Sequence, residues 1–173
     1  MFTFDPRLNT ADKIATSRPY KTDPMFACVA TSESGKLAVG SFDGKIRLYK
    51  QVGQDAKTLL PGLGDAIIHL EVSRDGVWVL ATTQTYLLLV KTECLNGKTG
   101  FEHRMGKEKP NPTKLQIRPK DIAKYAIRNI HFKPARFNNW SSAGEESSIV
   151  TSTGDFLVTW NFKKIKRGIL NDY

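Results

Sequence analysis

The sequence predicts an all-β fold, a partial β-propeller of about three to three and a half four-stranded blades. Three observations carry this. Residues 26–50 and 67–91 align with each other without a gap. Their turn glycines, Gly35 and Gly76, set a period of 41 residues. A third copy is split between residues 128–134 and 147–164. A repeat of about 40–45 residues, each holding roughly four short strands, marks a propeller blade.

The elements follow in chain order. Residues 1–24 form the end of a preceding blade: Phe2, Thr3 and Phe4 match a third-strand position, and 13–20 is a candidate outer strand. The blade at 25–62 opens with an apolar strand over 26–30. It turns at Ser34 and Gly35, where glycine supplies a positive φ. Strands at 37–40 and 45–49 follow, with an outer strand at 56–61. The blade at 63–120 repeats this order: 67–72, a turn at Asp75 and Gly76, 77–81, 86–90 and an outer strand at 114–118. It carries a basic insertion from about residue 97. The blade at 121–173 places its first strand at 129–132 and a loop insertion at 135–147. Its second and third strands fall at 148–151 and 156–160, and 165–173 supplies an outer strand or pairs elsewhere. The second and third strands are nearly continuous apolar runs, which suits strands buried on both faces between stacked blades. Ala38, Gly40 and Ala81 are small enough for that crowding. The outer strands are more polar, as an exposed edge should be.

Composition narrows the class. The chain has 173 residues, 40% of them apolar, which suits one domain with a buried core. No run approaches the ~20 apolar residues that a spanning helix needs. The first residues lack the basic and apolar regions of a secretory signal. Cys28 and Cys94 form no C-x-x-C pair and are expected as buried free thiols in a reducing, cytoplasmic setting. The net charge of +9 is concentrated: residues 98–136 carry 11 basic and 3 acidic side chains.

That insertion is the best functional candidate. Arg104, Lys107, Lys109, Lys114, Arg118, Lys120 and Lys124 are candidates to converge into an anion- or partner-binding patch. Its ligand would be an anionic lipid, RNA or an acidic protein. The bland reading is a solvated loop, extended or mobile over 106–114. Aromatic residues for base stacking are sparse, with Phe101 at one end and Tyr125 at the other. Arg136 and Phe137 either anchor the 135–147 loop or offer a partner surface. The basic run at 163–167 reads as a nuclear-localisation-like cluster or as alternating exposure along an outer strand.

Other motifs point away from chemistry. Residues 96–99 look like the end of a phosphate-binding loop, but Thr92 stands at the first glycine position and no helical pattern follows. A β-turn is expected there. His69, His103 and His131 lie on separate segments, so hydrogen-bonded structural histidines are expected and no metal site. The glycosylation pattern at 139–141 reads as incidental. No nucleophile elbow, zinc-binding helix or carboxylate pair is visible, so neither enzyme activity nor a cofactor is expected.

Residues 42–49 resemble the latter half of a WD repeat, with Tyr49 at the usual tryptophan; Trp160 and Asn161 stand at the WD pair of the third copy. Asp43 occupies the turn-forming aspartate position, but Gln84 and Gly154 replace it in the other copies, and the Gly-His pair is missing. Taken together, residues 2–7, 63–67, 75–90, 132–138 and 147–168 resemble the C-terminal WD-repeat-like domain of one fungal and plant family. That family is the vacuolar import and degradation protein, number twenty-seven of its series. The resemblance implies a cytoplasmic, non-enzymatic propeller, linked by the family name to vacuolar delivery and degradation. Two functions are carried forward: a scaffold for protein partners, and a binder of phosphoinositide membranes or RNA through the 97–136 insertion. The blade count leaves the circle unfinished. The remaining propeller blades of a longer protein would close it, or a second copy of the chain would; a compact three-blade form with capped ends is the third arrangement.

Overall fold

In the computed structural model the described residues are 2–8, 11, 14–17, 19–21, 23–94, 97–107, 109–138, 145–170 and 173. β1 (Phe2–Phe4) and β2 (Ile14–Ser17) form a two-stranded antiparallel sheet. The first complete blade is a sheet of four strands in sequential order: β3 (Phe26–Thr31), β4 (Leu37–Ser41), β5 (Ile46–Tyr49) and β6 (Thr58–Leu60). The second repeats it with β7 (His69–Val72), β8 (Trp78–Thr82), β9 (Leu87–Lys91) and β10 (Thr113–Leu115). The third has β11 (Arg136–Asn138), β12 (Ser148–Thr153) and β13 (Phe156–Asn161). Every pairing is antiparallel, and the described residues form a partial β-propeller.

The repeat is legible in the turns. Gly35 and Gly76 sit at φ +76° and +71°, and their amides donate to Ser32 O and Ser73 O at 3.0 and 2.8 Å. Burial then follows from stacking. Ile46, Leu48 and Leu60 of the first blade meet Leu88 and Val90 of the second in one core. Leu87, Leu89 and Leu115 of the second meet Ile149, Val158 and Trp160 of the third in another. Consecutive residues of β9 therefore face opposite cores, and only Lys91 of that strand is exposed. This is why the strand is apolar throughout rather than alternating.

The insertion begins as part of the core. Phe101 and Met105 are buried between the first two blades. The Thr58 hydroxyl on β6 donates to His103 O at 3.0 Å and lies 3.3 Å from the Met105 amide. Residues 109–112, which lead into β10, carry no regular structure.

Four local expectations are corrected. The first strand of the third blade forms at Arg136–Asn138 instead of 129–132. Its approach still follows β12, with His131 N donating to Thr153 Oγ1 and Lys133 N to Ser152 O. Pro134 has no amide hydrogen, so the ladder becomes continuous only after it. Arg136 and Phe137 therefore lie on a strand rather than in an inserted loop. Second, β10 stops at Leu115, and Pro119–Lys124 forms α1, a short helix entered through proline at its first turn. Third, the basic run after β13 is helical: α2 (Phe162–Lys166) is capped by the Asn161 side chain, which accepts from Lys164 N at 3.0 Å. Among the described residues the third blade has no outer strand. Fourth, the His69 Nε2 is buried without a hydrogen-bond partner among the described residues, and His131 is exposed. Burial, with the Arg136 charge, keeps the His69 imidazole below its ordinary pKa.

Cys28 and Cys94 are half-buried, and neither is in a disulfide among the described residues. The Cys28 sulfur lies 3.7 Å from Ile67 O, and burial pushes its thiol up to about 11. Asn96 and the pattern at 139–141 lie outside the described residues. No helix among the described residues is long and apolar enough to cross a membrane.

Candidate interaction surfaces

One rim of the sheets, where the first and third strands begin, carries large apolar side chains in water. Met25 is 54% exposed, Phe42 53%, Leu63 53% and Ile68 41%. Backbone bonds bring these loops together. Phe42 N donates to Met25 O at 3.0 Å, and Ile67 N to Ser41 O at 3.3 Å. Gly62, beside Leu63, abuts the backbone of Gly44. Asp43 shapes the turn by accepting from Lys45 N and, at 2.6 Å, from Lys45 Nζ. The Lys45 ammonium holds the Asp43 carboxyl below its usual range. Phe42, an aromatic residue in a Ser-Phe-Asp-Gly turn, was the sequence signal for this rim. One exposed apolar residue is ordinary, and only the fold shows four together.

The basic candidates are attached at different places. Arg104 is exposed beside buried Met105, at the core between the first two blades. Lys107 and Lys109 are exposed in the segment before β10. Lys114 lies on β10, its ammonium 4.6 Å from the centre of the Tyr86 ring. Arg118 is half-buried and bound inward: Nε is 2.6 Å from Asp121 Oδ2, and the guanidinium stacks 4.8 Å from the Tyr173 ring centre. The Tyr173 hydroxyl also donates to Asp121 Oδ2 at 2.6 Å. Those two hydrogen bonds, Tyr173 first, hold the Asp121 carboxyl below its ordinary pKa. Lys120 and Lys124 are exposed on α1, one turn apart. Arg136 is exposed on β11, 3.9 Å from Glu71 Oε1. Phe137 is half-buried against Phe162, 5.1 Å between ring centres, and its amide donates to Glu71 Oε2 at 2.7 Å. Burial pushes the Glu71 carboxyl up, and the Phe137 amide opposes this. No three His, Cys, Asp or Glu side chains among the described residues form a group suited to a metal ion.

The family model of the VID27 C-terminal WD40-like domain matches residues 1–173. The chain belongs to the VID27 family. It is 40% identical over 182 residues to "Vacuolar import and degradation protein 27" of Schizosaccharomyces pombe, a match that takes in 100% of this chain and 23% of that protein. It is 39% identical over 181 residues to the protein of the same name from Saccharomyces cerevisiae, taking in 99% of this chain and 22% of that one. The chain thus spans less than a quarter of the length of these relatives.

This VID27-family domain has a third surface that no motif announced. Beside the edge of β13 that no strand among the described residues pairs with lies a cleft of about 280 Å³. Phe156, Leu157, Val158 and Thr159 line one side, and Ile117, Tyr125, Ile127 and Tyr173 are among the residues on the other. Leu157 is 75% exposed. The Tyr125 and Phe156 rings stand 6.1 Å apart at one end.

Proposed function

We propose that this domain is a non-enzymatic protein-interaction scaffold, a cytoplasmic platform serving vacuolar import and degradation as the relatives' name indicates. The observation that carries the reading is the rim of Met25, Phe42, Leu63 and Ile68. Large apolar groups held in water on a hydrogen-bonded frame are an association surface in waiting. Ring closure, by further blades or by a second copy, belongs to the same reading. It is supported by the two-stranded β1–β2 sheet and the three-stranded third blade.

The test is site-specific photo-crosslinking in cells. A benzophenone amino acid placed at Phe42 or Ile68 should give a discrete protein adduct. The same group at Glu33, which lies in the turn between β3 and β4 at the opposite end of the sheet, should not. Adding Ile68→Asp to the Phe42 crosslinker should remove the adduct. Equal labelling from Glu33, or an adduct indifferent to Ile68→Asp, would sink the rim assignment.

The anionic-surface reading keeps one support, the exposure of Arg104, Lys107, Lys109, Lys114, Lys120 and Lys124. On that reading, phosphoinositide vesicles bind with steep salt dependence. Replacing Lys107, Lys109 and Lys114 with serine weakens this binding about tenfold or more, since each basic residue near a membrane contributes about 1 kcal/mol. Vesicle binding that the triple change leaves intact would remove the insertion from consideration.

A further inference from the structure

The two complete blades show what their outer position holds. In the first, Thr58 and Leu60 of β6 stand opposite Leu48 and Ile46. In the second, Thr113 and Leu115 of β10 stand opposite Leu89 and Leu87. Both outer strands read Thr-x-Leu, and both leucines are buried. The matching positions on β13 are Thr159 and Leu157, and among the described residues no strand stands opposite them. One edge of β13 pairs with β12 along its whole length. The other edge faces the cleft.

We propose that the outer edge of β13 is a docking groove for an extended peptide from another protein, with the pattern Thr-x-Leu followed by a carboxylate. An edge strand offers unpaired backbone donors and acceptors, and peptide recognition by strand addition uses them for affinity and pockets for specificity. Running antiparallel, the peptide places its threonine opposite Thr159 and its leucine opposite Leu157. The middle residue stands opposite Val158, over the cleft side formed by Ile117, Ile127 and Tyr173, so an apolar side chain fits there. The peptide continues opposite Phe156, toward Tyr125. Two cations stand there, the Lys124 ammonium 5.0 Å from the Tyr125 ring centre and Lys120 exposed one turn earlier on α1, against one exposed carboxylate, Asp155, in the turn before β13. The cleft's own carboxylate, Asp121, is engaged by Arg118 and Tyr173. A peptide carboxylate after the leucine therefore complements this end.

The probe is a fluorescent pentapeptide, Lys-Thr-Leu-Leu-Glu, which copies residues 57–60 and adds one glutamate, ending opposite Phe156 and short of Asp155. It is titrated into the 173-residue chain by anisotropy. Saturable binding tighter than about 100 μM is expected. A peptide with proline in place of the threonine, which stands opposite Thr159, loses a backbone donor to the edge and should bind at least about tenfold more weakly. The double change Lys120→Glu and Lys124→Glu, on exposed helix positions, should also weaken binding about tenfold. Amide exchange should slow in β13 on saturation. Phe42→Asp on the distant rim should leave the peptide affinity unchanged, so failure of the rim assignment and failure of this one are distinguishable. The proposal is overturned if no binding is seen up to about 1 mM, if the proline peptide binds equally well, or if β13 amides gain no protection.

Discussion

Gly62→Ala is expected to destabilise the domain by about 3 kcal/mol or more, read as a fall in the urea midpoint. A β-carbon built at Gly62 would stand 1.9 Å from Gly44 O and 2.8 Å from Gly44 C. Both atoms are backbone, so no side chain can swing aside. Gly44 has no room either: its own β-carbon position is 2.9 Å from Asp65 O. Two loops meet main chain to main chain here, and one methyl group must push them apart. Gly76→Ala is the contrast. At φ +71° it carries strain of roughly 1–2 kcal/mol, but it meets only the end of the Lys36 side chain, at 4.0 Å. If Gly62→Ala costs no more than Gly76→Ala, the close approach is not as drawn. Because the 61–66 loop carries Leu63 and leads into Ile67 and Ile68, the Gly62 change should also disturb crosslinking from the rim.

Trp160→Ala should cost about 3–5 kcal/mol, the range for deleting a large aromatic side chain from a core. Trp160 is fully buried on β13, with Phe132 6.1 Å and Tyr173 5.5 Å away between ring centres. It fills the contact between the second and third blades, where Leu80, Leu87, Leu89 and Ile149 belong to the same cluster. Alanine would leave a void lined by neighbours on two different sheets, which are poorly placed to collapse into it. Trp160→Phe should cost much less, under about 1.5 kcal/mol, because it keeps most of the apolar volume. It also removes a buried indole N–H that has no hydrogen-bond partner among the described residues. Similar losses for alanine and phenylalanine would show that a benzene ring does not fill the indole's space at this position. Both variants are compared by equilibrium unfolding in urea, since each should leave the repeat's turns untouched.

The repeat made the architecture readable from the residues. Strands β3 to β9 fall on or within two residues of their expected places, because each blade repeats the same turn glycine and the same apolar runs, while β10 ends three residues short. The third blade was readable only in β12 and β13. Its first strand moved to Arg136–Asn138 because Pro134 interrupts the ladder, a local effect that hydrophobic pattern alone does not register. The two helices were missed because six and five residues complete too few turns to show a period.

The surfaces were less legible than the fold. Charge counting located the basic insertion, but it does not distinguish Arg118, bound to Asp121 and stacked on Tyr173, from Lys107 and Lys109, which stand in water. Nor does it reveal that Phe101 and Met105 tie the start of that insertion into the core. What the sequence by itself determined was the blade: its period, its turn glycines and its apolar runs, each written in residues near in the chain. Only the tertiary structure decided which residues share a surface. Met25, Phe42, Leu63 and Ile68 meet through backbone bonds between loops, and Ile117, Leu157 and Tyr173 meet across a cleft; such proximity depends on how sheets stack, and it leaves no spacing in the chain.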